Sequence, residues 1–439
     1  MKDIRNKLLI ITGIVLGVFA VVAGIRAVSN RAPWLETARQ KSIAVTARPT
    51  ASDRQILAAQ DEIARAPHAS SGYNLLCAAY LKKARETGDF AFNAKAEAAL
   101  NRSLELTASE DNYDALKLKS ALLLAYHRFG EALDLARRAR DMRPQDPMNY
   151  GAITDALVEL GDYQGAFEAA QTMMDLRPGT PSYSRVSYLR GLQGDTEGAI
   201  EAMRAAAEAT ADPETAAWCR VHLGDELMNA GQRVAAEREF DSALAIFPNY
   251  HLAFAGKARA RLAAGDADAA IEFYRQAQER VPLPETAIAL GDLYTKLRRA
   301  DEAKKQYDLV EFIERTGTVA GTYSRQLALF YADHDVKLDE ALAIARRERA
   351  ARADIYTSDT LAWCLYKKGD LAEAKRTIEE ALRLGTRDAR IHYHAGMIEQ
   401  ALGNRRDAAK HLHLALKINP SFDILHADVA RQTLRTIAA

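Results

Sequence analysis

Between residues 70 and 421, apolar positions recur three and four apart in runs of about 12 to 14 residues, and each run ends in polar, glycine or proline residues. That spacing lays one apolar stripe along a helix, so the pattern predicts a succession of amphipathic helices. The helices come in pairs. "GDYQGAFEAA" from Gly161 and "GDLAEAKRTI" from Gly369 each set a Gly-Asp turn just ahead of an alanine. This small residue recurs at Ala96, Ala132, Ala166, Ala199, Ala236, Ala270, Ala303, Ala341, Ala374 and Ala408, with gaps of 33 to 38 residues. Proline follows it by twelve at Pro144, Pro178, Pro248, Pro282 and Pro420, where its missing N–H and bulky ring stop the second helix.

A unit of two short helices cannot bury its apolar faces alone. Units in near-constant register must stack, with small residues allowing close approach and bulky ones filling the space between helices. The expected fold is therefore all-α, a solenoid of about ten helix-turn-helix units over residues 53–421. Residues 422–439 are expected to form a capping helix with Phe422, Leu425, Val429 and Leu434 on its apolar side.

At this point the sequence resembles the tetratricopeptide repeat family, whose unit of about 34 residues carries leucine, glycine, tyrosine, alanine, aromatic and proline residues at fixed places. "HLGDELMNAGQRVAAEREFDSALAIFP" supplies Leu223, Gly224, Ala236, Phe240, Ala243 and Pro248 in that register, with Leu227 where tyrosine is usual. The unit reaching Pro420 supplies Gly396, Ala408 and Ala415. The first unit departs through the insertion "KKARETGDFAFNAK", and the Ala341 unit is stretched. The resemblance implies a right-handed superhelix whose concave groove, lined by the first helix of each unit, holds peptides or protein segments.

Carried over place by place, the resemblance puts Asp155, Tyr188, Trp218, Asp225, Asp292, Tyr356, Asp359, Trp363, Tyr366 and Tyr393 on the groove face. Arg259 and Met397 share the ninth place with Asp155, Tyr188, Asp225, Asp292 and Trp363. An acidic middle and an aromatic later stretch follow from this, with a preference for basic or neutral extended partners. The alternative is that these side chains only solvate or pack the inner helices.

Ahead of the repeats, residues 8–25 read "LLIITGIVLGVFAVVAGI" without a charge, flanked by Lys2, Arg5 and Lys7 before and Arg26 and Arg31 after. Residues 1–29 are thus expected to be a transmembrane anchor or a cleaved signal, and 30–52, with Pro33 and Pro49, a tether. Either reading favours a repeat domain on the non-cytoplasmic side, periplasmic or extracellular. A cytoplasm-facing domain is the alternative, because the flanking charges nearly tie.

Composition agrees with helix: 48% hydrophobic residues, 7% aromatic, and only 12 prolines. Lys plus Arg and Asp plus Glu each total 59, so no net positive field draws nucleic acid. Cys77, Cys219 and Cys364 lack metal or redox spacing and are expected to be packing thiols. The run "GLQGDTEGA" (residues 191–199) lacks the Lys-Ser or Lys-Thr of a phosphate loop and follows a helix, so it is expected to be an inter-helix turn. His392, His394, His411, His413 and His426 crowd one region, but pairs two apart point to different helix faces, so surface or partly buried roles are expected rather than a metal. The acidic pairs Asp266 with Asp268 and Asp333 with Asp335 fall near turns and are expected to cap helices or face water. No catalytic signature or cofactor motif stands out. The expectation is a noncatalytic, membrane-tethered scaffold; a secreted binding protein, or a subunit supporting an enzyme complex, is the alternative.

Overall fold

The computed structural model describes residues 50–317 and 325–438. The apolar stretch 8–25 lies outside them, as does nearly all of the expected tether. Among the described residues there are 22 helices and no strand, and no helix is long and apolar enough to cross a membrane. The first of them, Ala51–Arg65, begins inside the stretch expected to be tether, because buried Ser52 is held by a hydrogen bond to Glu86 of the following helix.

The repeat comes from a two-residue device. Gly161, Gly194, Gly231, Gly265, Gly369 and Gly403 all sit in the left-handed region, with φ between 73° and 84°, and turn the chain between paired helices. Where aspartate follows, its carboxylate caps the next helix: Asp162 accepts from Gly165 N at 3.0 Å, and Asp195 from Gly198 N at 3.0 Å. "GLQGDTEGA" is such a turn. His127, Arg298 and Asp335 take the same left-handed conformation at the equivalent place without glycine, which hid those turns from the sequence pattern.

All ten alanines of the sequence register are buried, none with more than 4% of its surface exposed. The first helices of successive units pack side by side as an inner layer, for example Ser70–Thr87, Tyr113–Ala125, Pro147–Glu159 and Thr180–Leu192. Their partners, such as Arg233–Ile246 and Ala267–Arg280, form the outer layer.

The solenoid of residues 51–438 winds tightly enough for distant units to touch. Ala353 N donates to Glu159 O at 2.8 Å, and Ile355 N donates to the Tyr163 hydroxyl at 2.8 Å. Arg352, only 8% exposed, pairs with Glu159 at 3.1 Å and Glu348 at 2.8 Å. Farther toward the amino end, Lys82 reaches Asp212 at 3.3 Å. A Cβ on Gly161 would lie 2.5 Å from Ala353 O, and one on Gly194 would lie 2.7 Å from Gly385 O. These two glycines therefore serve both the turn and the contact between windings.

Candidate partner-binding groove

The inner layer carries the residues expected on the groove face, but its chemistry differs from the expectation. Asp155 accepts two hydrogen bonds from Arg185, at 2.8 and 2.6 Å. Asp225 is ion-paired with Arg259 of the next unit. Asp292, 7% exposed, accepts from the Tyr307 hydroxyl at 2.9 Å and contacts His334 Nε2 at 2.8 Å. Two acids of the expected wall are thus paired with arginine and the third is buried, and the reason for preferring basic partners falls with them. The signal was present in the sequence: Arg259 occupies the same place in its unit as Asp225 in the preceding one.

The aromatic stretch is likewise mostly spent on packing. Trp363 is 1% exposed, donates its indole N–H to Asp333 at 2.8 Å, and lies between Tyr366 and His394, whose rings are 4.8 and 4.1 Å from its own. Tyr393 is buried under Phe422 and His426. Asp359 is buried beside His394 Nδ1 at 2.8 Å. Asp292, Asp359, Trp363 and Tyr393 therefore have little surface for a partner in this state. Tyr188 is 45% exposed, while Trp218, Tyr356 and Tyr366 are half-buried.

Two of the five histidines, and Asp333, also depart from expectation. His392 and His394 are buried, and Asp333 bonds Trp363 instead of capping a helix or facing water. His392 Nδ1 meets His411 Nδ1 at 3.0 Å across two helices, a pairing that spacing within one helix cannot reveal. Among the described residues, no three or more His, Cys, Asp or Glu side chains come together as a metal site. All three cysteines are buried free thiols, and burial pushes each up to about 12.

Two cavities open on the inner face. One, of about 620 Å³, is lined mostly by first-helix residues of the early units, with Leu75, Leu118, Leu124, Met148 and Ala152 contributing to its apolar surface. Its cations are spoken for: Lys117 pairs with Asp146 at 2.7 Å, and Arg185 lies across Gly151 to reach Asp155. Leu75 and Met148 keep 51% and 45% of their surface exposed. The other cavity, of about 690 Å³, is lined by Leu293, Lys296 and Phe330, and residues 419–431 of the chain itself contribute to its lining. Burial, with the charge of Asp225, raises Glu226 to about 7.

A family model described as "Tetratricopeptide repeat" matches residues 359–384. No curated protein matches the chain in sequence. Among solved structures, the chain is similar to PilW, a widely conserved type IV pilus biogenesis factor, at 16% identity and TM-score 0.40, covering 49% of this chain and 96% of that one. It is also similar to a chain of the APC/C hetero-tetramer Cut9–Hcn1 (15% identity, TM-score 0.40, covering 92% and 95%). A third is yeast Tom70, at 13% identity and TM-score 0.34, covering 82% and 96%.

Proposed function

Because this chain is a tetratricopeptide-repeat protein, we propose that it is a noncatalytic scaffold that holds a neutral, apolar segment of another protein in the open cavity between residues 71 and 185. The observation that carries this reading is the pairing of Lys117 with Asp146 and of Arg185 with Asp155 around an apolar floor. A segment entering there meets cations that are already paired, leaves the exposed Asp114 carboxylate at the rim in water, and gains by covering Leu75 and Met148. Its own backbone can find partners at the polar rim.

Residues 8–25 tether this scaffold to a membrane in the same proposal, supported by their length and lack of charge. The mass of the mature amino terminus separates an anchored chain from one secreted after cleavage.

Replacing Leu75 and Met148 together by Glu tests the site, since both side chains are exposed enough for the fold to tolerate charge. The double variant keeps its helicity and loses the bound segment. Retention of the segment by a folded double variant refutes the assignment.

A further inference from the structure

Residues 419–438 do not simply cover the last unit. Lys296 Nζ donates to Ile424 O at 3.1 Å and pairs with Asp428 at 2.8 Å, well over a hundred residues away in sequence. Ile424 packs on the cluster that contains Ala258, Leu290, Leu293 and Tyr294. Arg390 holds Asp423 at 3.2 Å, and His426 lies 3.3 Å from Asp423 and 5.2 Å, ring to ring, from Tyr393. The segment thus lies on the inner layer, with an apolar side chain between two carboxylates that meet two cations.

Its anchor is the turn at Asp423, whose side chain is 9% exposed, but the helix that follows is held lightly for an element of this fold. In the helix His426–Ala438 only Ala427 and Ala430 are buried, whereas Pro213–Asn229 buries seven residues. Val429, expected on the apolar side, is 37% exposed. The pair Lys296–Asp428 is exposed at both ends, 44% and 58%, where an ion pair contributes about 1 kcal/mol or less. Such contacts resemble those of a bound segment more than those of a repeat.

We propose that the inner wall around Pro284–Lys296, with Arg390, is a second binding surface, for an amphipathic segment of another protein that carries carboxylates on either side of an apolar anchor. Residues 421–431 occupy it as the competitor in cis. This site is independent of the open cavity between residues 71 and 185, and it takes an acidic segment where that cavity takes a neutral one. Attachment in cis gives the resident a high effective concentration, so a partner's apparent affinity falls by the fraction of time the wall is free.

The test uses a fluorescein-labelled peptide of residues 419–438, its anisotropy read against the full chain and variants. Ile424→Asp with Asp428→Lys in the protein frees the wall, and the peptide then binds at least about tenfold more tightly than to the unaltered chain. Adding Lys296→Glu to that variant removes the binding, and a peptide carrying Asp428→Lys restores it. A folded, freed variant that binds no more tightly overturns the proposal, as does indifference to Lys296→Glu. Hydrogen exchange on the unaltered chain tests the same claim without relying on any variant's folding. Amides of His426–Ala438 exchange at least about tenfold faster than those of Ala389–Ala401 if the segment detaches on its own. Equal exchange marks it as a fixed part of the solenoid and overturns the proposal.

Discussion

The ring of Phe240 fills the space over Gly256 so closely that a Cβ there would lie 2.4 Å from its Cε1. Gly224 meets the same ring from the preceding unit, also at 2.4 Å, so one fully buried phenylalanine is clasped between two inner helices by two absent side chains. This is the physical content of the repeat: glycine in a first helix and an aromatic ring in a second helix exist for each other.

Gly256→Ala therefore destabilises the solenoid although alanine is the better helix former. Overpacking costs about 1–3 kcal/mol against a propensity gain of about 1 kcal/mol. Urea denaturation followed by circular dichroism checks the sign, and an unchanged or raised midpoint contradicts it.

Gly191 gives the opposite result. It lies in the helix Thr180–Leu192, and a Cβ there would meet only Glu226 Oε1 at 3.7 Å and Ala199 Cβ at 4.0 Å, ordinary contacts. Gly191→Ala raises stability by up to about 1 kcal/mol in the same assay. A loss would mean that the opening beside Glu226 is needed for packing.

Two left-handed glycines separate turn chemistry from winding. Gly161 has φ +76° and approaches Ala353 O, while Gly369 has φ +83° and nothing within 4 Å of its Cβ position. Alanine at either position strains the backbone by about 1–2 kcal/mol. Only Gly161→Ala also loosens the neighbouring winding, seen as a larger radius of gyration by small-angle scattering. Equal radii for the two variants would contradict the winding contact.

Stability declines in mild acid. Burial lowers His251 from 6.5 to about 4; burial does the same to His127, aided by Arg352 and Arg325, and to His392, aided by His411. These groups are neutral in the fold but take a proton in the unfolded chain once the pH drops below about 6.5. Their contribution is complete above about 6.5 and is lost as pH falls from there toward 4. His426 acts oppositely: burial opposes its charge, but Asp423 and Asp333 prevail and raise it, so its contribution is present below 6.5 and fades as pH rises through that raised value. Glu226, raised from 4.5 to about 7, also favours the fold as pH falls, but the three histidines lowered to about 4 outnumber it, so the urea midpoint falls between pH 7 and pH 5, and His251→Leu flattens the slope. A midpoint that rises on acidification contradicts the balance.

The repeat was legible because its determinants are local. Ala166 and Gly161 lie in one turn, and the same spacing recurs from unit to unit. The groove chemistry was only half legible. Asp225 and Arg259 share a register position, so their pairing was within reach of the sequence, but the contact of Gly161 with Ala353 depends on how far each unit rotates on the last. Small rotations accumulate along a solenoid and leave no local pattern. The burial of Trp363 and Tyr393 escaped for a related reason: His394 covers the first, and Phe422 and His426, beyond the last repeat, cover the second.

Site-specific photo-crosslinking tests the central claim most directly. A benzophenone side chain replaces Leu75 in the open cavity, or, as a control, the exposed Val234 of an outer-layer helix, and the adducts formed in cells are mapped by mass spectrometry. The scaffold account predicts that position 75 captures one apolar, neutral segment of another protein, and that Met148→Glu abolishes the capture while position 234 yields none. The same adducts at both positions, or adducts at position 75 only to a second copy of this chain, would contradict it.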